Sequence, residues 1–285
     1  MGRLAKRGIA SNETNPMRAH ARSVVCALAV AAAALLSASP AAAQSGRLIF
    51  DQEFNGPAGS APGAPWTVVS GQGFWTGQCW ANDPQHVSET GSGYLSLTAT
   101  YQATGNPCLD GNYVSGAIQV PASVWSYRYG TAQARIQVPC LSGNGLWPSF
   151  WQYTSQNQGA GGGQLHKGGG EIDTMELMDV STASDPAGTL VSQSLHNTGL
   201  IATSTVYDPN WCGAFHVFGN TWTSTSVKFT VDGVTEATFN RSQFPTWLPS
   251  TPQAPVLSLL VGYYGGTPTF TSPQTMLVDW VRISH

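Results

Sequence analysis

The stretch that most restricts what this chain can fold into is Val227–Phe239. Val227, Phe229 and Val231 alternate with Lys228 and Thr230, the run stops at Asp232-Gly233, and it resumes over Val234–Phe239. Alternation with period two puts one set of side chains on each face of a strand. An Asp-Gly pair between two such runs supplies the positive φ angles of a two-residue hairpin. The same pattern recurs in Thr131–Val138, where Ala132, Ala134, Ile136 and Val138 face one way and Gln133, Arg135 and Gln137 the other. Shorter runs at Tyr94–Thr100 and Leu190–Leu195 and a closing run at Met276–Ile283 extend the series. No stretch keeps helical periodicity between capping signals. The expected fold class is therefore all-β, a sandwich or jelly roll.

Composition narrows the alternatives. The 32 Gly and 18 Pro among 285 residues are too many for a helical bundle, and the glycines lack the period of three of a collagen. Aromatic residues make up 10%, including ten Trp that all follow residue 43, which excludes a disordered chain. Residues 24–38 read VVCALAVAAAALLSA after Arg18 and Arg22, and the segment ends Ser39-Pro40-Ala41-Ala42-Ala43. A basic flank, a short apolar core and an Ala-x-Ala exit make residues 1–43 a signal peptide, with residues 1–16 as an upstream extension. The apolar run is shorter than the roughly 18–20 residues a membrane anchor needs. Residues 44–285 are then a single secreted domain, extracellular or periplasmic, expected as a monomer off the membrane.

Cleavage removes five of the twelve basic residues but only Glu13 of the fifteen acidic ones, leaving seven against fourteen. A chain of that charge with no Lys/Arg cluster repels phosphate backbones, so nucleic acid is excluded as a partner. Cys79, Cys108, Cys140 and Cys212 remain, and in an exported protein they suggest two disulfides, with three possible pairings. No C-x-x-C pair or nearby His supports a zinc site instead. The 16-residue Gly-rich run Ser155–Gly170 is long enough to be a functional loop, but it lacks the Lys-Ser/Thr of a phosphate cradle.

That run leads directly into Glu171-Ile172-Asp173-Thr174-Met175-Glu176. Charged residues make up only 9% of the chain, yet three acids fall within six positions among apolar neighbours. On a strand Glu171 and Asp173 share a face, and Glu176 points to the other. A one-residue bulge around Thr174–Met175 would bring Glu176 back to the first face. Crowded carboxyls split their pKa values, which suits a glycosidase in which one acts as nucleophile and another as acid/base. Solvated acids on an edge strand, or a cation site, are the other readings of the same residues.

Aromatic side chains near this strand suit a sugar site. In Leu146–Tyr153, Trp147, Trp151 and Tyr153 share one strand face, either as stacking rings for pyranose units or as core. His196 ends the apolar run Leu190–Leu195, and Asn82 in Trp80-Ala81-Asn82-Asp83 offers a polar contact to a hydroxyl, or is an ordinary turn residue.

The EIDTME segment resembles the E-x-D-x-x-E signature of glycoside hydrolase family 16 in its bulged form. Four further segments are similar to that family in the same order. They are Tyr127–Gly130 through Arg135–Pro139, Gly145–Trp151, Phe215–Phe218 with Trp222 and Asp232-Gly233, and Leu277–Arg282. The resemblance implies endo-acting, retaining hydrolysis of a β-linked polysaccharide, with Glu171 as nucleophile, Asp173 as assisting acid and Glu176 as acid/base. It implies a jelly-roll β-sandwich and places His196 near the acid/base, while Trp147, Trp151 and Asn82 are the substrate-binding candidates that the residues themselves offer. No cofactor is implied for catalysis. A structural Ca²⁺ is implied at Asp279, with backbone oxygens near Glu53 and Gly93.

Among the family's branches the laminarinases, which cleave β-1,3-glucan, are the most similar. Their Trp-Pro before the signature is replaced here by Gln164–Gly170, which leaves agar, carrageenan and mixed-linkage glucan as other substrates. A non-hydrolytic glycan-binding protein and a transglycosylase on the same scaffold are the alternative functions. Members of the binding class have typically lost the catalytic carboxylates, which this chain keeps.

Overall fold

Each of the alternating runs forms a strand. The computed structural model describes residues 46–72, 79–103, 112–139, 145–154, 169–178, 190–207 and 211–285. The signal-like segment, residues 155–168 of the Gly-rich run, Cys108 and Cys140 lie outside these, as does the side chain of Cys212. Strands β1 (Leu48–Gln52), β2 (Thr67–Val68), β3 (Gly71–Gln72), β4 (Cys79–Trp80), β5 (Val87–Glu89) and β6 (Leu95–Tyr101) come first. They are followed by β7 (Tyr113–Val114), β8 (Ala117–Gln119), β9 (Gly130–Gln137), β10 (Leu146–Tyr153), β11 (Glu171–Leu177) and β12 (Leu190–His196). The last six are β13 (Leu200–Tyr207), β14 (His216–Trp222), β15 (Ser226–Val231), β16 (Val234–Asn240), β17 (Ala254–Val261) and β18 (Gln274–Ser284).

Two antiparallel sheets form the sandwich. One is ordered β16-β15-β14-β9-β18-β6-β5, with β1 also on β18 and β7 on β6; the other is β13-β12-β11-β10-β17-β8-β2. The long β18 is shared along its length, pairing with β6 over Gln274–Val278 and with β1 over Val281–Ser284. The predicted hairpin is present between β15 and β16, and Asp232 (φ 50°) and Gly233 (φ 81°) both take the left-handed conformation its turn demands.

The core lies between the sheets, where alternate side chains from each inner face meet. Ile136, Phe218, Phe229 and Val278 from the first sheet and Phe150, Ile172, Met175 and Leu257 from the second are buried there. Strands β10, β11 and β17 are buried along their whole length. The acids of β11 therefore sit in a central strand, which removes the solvated edge-strand reading.

Candidate active site

β11 lies between β10 and β12, and its register shows how the acids are aimed. Asp173 stands opposite Trp151 of β10, and Glu176 opposite Ser149. Two steps on β10 thus match three on β11, and the extra residue is Thr174. The same shift appears against β12, where Glu171, Asp173 and Glu176 face His196, Ser194 and Ser192. The expected bulge is present, and all three carboxyls share one face of the sheet.

The bulge is anchored from the opposite face. Thr174 Oγ1 accepts from Asn220 Nδ2 at 2.7 Å and from Gln152 Nε2 at 3.0 Å. Asn220 Nδ2 also donates to Gln152 Oε1 at 2.8 Å, and Gln193 Nε2 donates to the Thr174 carbonyl at 3.3 Å. Asn220 belongs to β14 of the other sheet, so this buried polar group spans the sandwich beneath the bulge. Groups of this kind fix one geometry, because an unpaired partner would be costly at that depth.

On the acidic face, His196 Nε2 lies 3.2 Å from Asp173 Oδ2, and Trp147 Nε1 donates to Glu176 Oε1 at 3.1 Å. Glu171 Oε2 is buried with no hydrogen-bond partner among the described residues. Burial is the largest influence on all three acids and pushes each pKa up. Asp173 is raised to about 8. Glu171 is raised further by the charges of Asp173 and Glu176, against the pull of His196. Glu176 is raised further by Asp173, while His196 and the Trp147 hydrogen bond favour its ionised form. Near neutral pH the cluster therefore holds protons, the state in which one carboxyl can act as an acid.

These shifts have a consequence for stability. Each folded pKa lies above the value of the same group in the unfolded chain, near 4 by ordinary carboxyl behaviour. The contribution is therefore complete below about pH 4 and is lost as the pH rises through the folded values, about 8 for Asp173. Asp173→Asn removes that titration. Its melting temperature should fall less than that of the wild type, by roughly a few degrees, between about pH 5 and about pH 8. Thermal unfolding at the two pH values checks this, and parallel falls would count against proton uptake at Asp173.

The structure brings six of the residues singled out in the sequence to one face: Glu171, Asp173, Glu176, His196, Trp147 and Trp151. Trp151 Nε1 donates to Ser258 Oγ at 3.2 Å, and both indoles are largely covered, so they wall the site more than they offer an open platform. Asn82 is exposed after β4, and no hydrogen bond joins it to the acids among the described residues. Sequence reading missed the Thr174–Gln152–Asn220 group. It also missed Tyr263 and Tyr264, although the run Gly262-Tyr263-Tyr264-Gly265-Gly266 was a visible signal.

The donor atoms of Glu171, Asp173 and His196 lie within 4.8 Å of one another, a spacing that a metal ion could use. Asp279 lies on the other sheet, as the extra residue of a bulge in β18 facing β9, and its carboxylate is paired with the Arg135 guanidinium. Calcium takes a shell of six to eight oxygens. A carboxylate already engaged by a cation does not fit that shell as arranged, and no step below is routed through a metal.

A row of buried acids with raised pKa values, aimed by a bulge on one face of a β-sandwich and flanked by indoles, suits the two-carboxylate chemistry of a glycosidase. The profile of glycosyl hydrolases family 16 matches residues 74–282, and the chain belongs to that family. It is 24% identical over 261 residues to the keratan-sulfate endo-1,4-beta-galactosidase of Sphingobacterium multivorum, covering 90% of this chain but only 59% of that protein. The endo-1,3-beta-glucanase of Streptomyces sioyaensis superposes with a TM-score of 0.70 at 25% identity, over 85% of this chain and 97% of that one. The laminarinase of Flavobacterium sp. UMI-01 shares the fold with a TM-score of 0.67 at 24% identity, over 84% of this chain and all of that one. The chain thus carries the fold and the acidic row of a glycoside hydrolase family, and it spans 59% of the length of the curated relative it matches.

Proposed function

We propose that the protein is a secreted, monomeric endo-β-1,3-glucanase that cleaves with retention by double displacement. The observation that carries this is the bulge at Thr174, which sets Glu171, Asp173 and Glu176 in one buried row. In the protonation state that reacts, Glu171 is the ionised member of the cluster and Glu176 keeps its proton. Glu171 attacks the anomeric carbon as the bond to the leaving oxygen breaks, and Glu176 delivers its proton to that oxygen. The sugar is then held as an ester on Glu171. Glu176, now a carboxylate, takes a proton from water, whose oxygen attacks the same carbon and frees Glu171. Asp173, paired with His196, steers the cluster's protons, because its charge raises the pKa of both neighbours. The Trp147 hydrogen bond favours Glu176 once its proton has gone. This chemistry needs no cofactor.

The glucanase structures favour β-1,3-glucan as the substrate. The galactosidase relative favours a second reading, in which the polymer is a β-linked galactan. Export is supported by the signal-like residues 24–43, and the four cysteines left after cleavage suit the disulfides of an oxidising compartment. The test is reducing-end release from laminarin, mixed-linkage glucan, agar, carrageenan and keratan sulfate. Release from laminarin above the others is expected. Release from a galactan alone would replace the glucan reading, and binding without release from any polymer would make the protein a glycan-binding one.

A further inference from the structure

Beside Glu176 lies a group of rings that the reaction as described leaves unused. The segment between β17 and β18 begins with a single 3-10 turn, Tyr263–Gly265, flanked by Gly262 and Gly266. The Trp147 and Tyr263 rings are stacked, with centroids 6.2 Å apart and planes at 20°. Tyr264 meets Trp147 edge-on at 5.1 Å and Tyr263 at 4.5 Å. The two tyrosines are nevertheless half exposed, at 50% and 49%.

The backbone works to keep them there. Tyr263 has φ of 52°, a left-handed conformation that a bulky side chain seldom adopts. The turn is tied down at both ends. Gly262 N–H donates to the Gly145 carbonyl at 2.7 Å, and a Cβ on Gly265 would stand 2.6 Å from the Leu146 carbonyl oxygen. Backbone held in an unfavourable conformation by its surroundings is concentrated at ligand sites.

The position of the rings gives them a direction along the substrate. Trp147 is bonded to Glu176, and along β10 it lies beyond Ser149, the residue opposite Glu176, on the side away from Trp151 and Tyr153. Glu171, at the other end of the acidic row, stands opposite Tyr153. Burial raises the Tyr264 pKa, with smaller contributions from Tyr263 and, least, from the Glu176 charge. The sugar whose oxygen takes the Glu176 proton is the one that leaves.

We propose that Tyr263 and Tyr264, backed by the buried Trp147, form the aromatic wall of the leaving-group subsite, packing on the C–H face of the pyranose released in the first step and of the acceptor that enters in the reverse direction. The proposal rests on Glu176 being the acid/base. The negative faces of the rings attract the polarised C–H bonds of a sugar. Such a wall acts on leaving and accepting sugars and not on the residue held by Glu171.

The test compares laminarin with β-laminaribiosyl fluoride, whose leaving group is fluoride and carries no sugar. In Tyr264→Ala the ratio of kcat/KM for laminarin to that for the fluoride should fall about tenfold, and Tyr264→Phe, which keeps the ring, should hold most of it. The share of product transferred to added laminaribiose should fall in step, and melting temperatures report whether each variant is folded. Equal losses on both substrates, or none on laminarin, would overturn the proposal. A ratio lowered by Tyr264→Ala but untouched by Glu176→Ala would instead overturn the assignment of Glu176 as the acid. If the wild type cleaves a galactan and not laminarin, the same comparison is made with that polymer and its disaccharidyl fluoride.

Discussion

Glu171→Gln is expected to lower kcat on the cleaved polysaccharide by about 10⁴-fold or more, the scale seen when a covalent nucleophile is removed. The amide has the shape of the carboxyl but cannot form the glycosyl ester, so glycan binding should persist. The variant should also be at least as stable as the wild type near pH 8. Glu171 is buried, its Oε2 has no hydrogen-bond partner among the described residues, and the neighbouring acids oppose its charge. Replacing a group whose ionisation is disfavoured by a neutral one relieves that repulsion as the pH rises. Reducing-sugar release, glycan binding and thermal unfolding of the same preparation give the three readouts. Activity within a few fold of wild type would move the nucleophile elsewhere in the row.

Glu176→Ala should lower kcat/KM on polysaccharide by about 10³-fold, because a sugar alkoxide leaves poorly without a proton. Aryl glycosides with a good leaving group should lose far less in the first step. Azide in the vacated space should restore turnover and appear in the product as a β-glycosyl azide, since it attacks an ester formed with inversion. The substitution also leaves the Trp147 indole N–H without its acceptor, at a cost of about 1–3 kcal/mol. Glu176→Gln keeps an oxygen at that position and separates the chemical loss from the structural one. Azide giving neither rescue nor the β-azide would remove Glu176 from the acid/base role.

Much of the site was legible because strand geometry is strict. Residues 171 and 173 share a face by parity and residue 176 does not, so three acids with one function demand an inserted residue, and the register places it at Thr174. The hairpin at Asp232-Gly233 was legible for a similar reason, since few residues tolerate the angles of that turn. The anchoring of the bulge was not. Asn220 is 46 residues from Thr174 and 68 from Gln152, and a lone Asn or Gln in a strand carries no local mark of its partner. The pairing of Asp279 with Arg135, 144 residues away, was hidden in the same way, although each residue was noted in its own strand.

The chain's local chemistry, read alone, determined the class of fold and the identity of the acids. Period-two alternation and turn residues act between near neighbours, and the spacing of Glu171, Asp173 and Glu176 is itself local. Tertiary structure decided what those residues experience. Burial raises all three pKa values, and it exists only because β10 and β12 flank β11 in a full sheet. The indole on Glu176, the imidazole beside Asp173 and the tyrosines next to Trp147 come from strands and turns remote in sequence. Desolvation and long-range contact depend on the packed whole, and no local pattern encodes them.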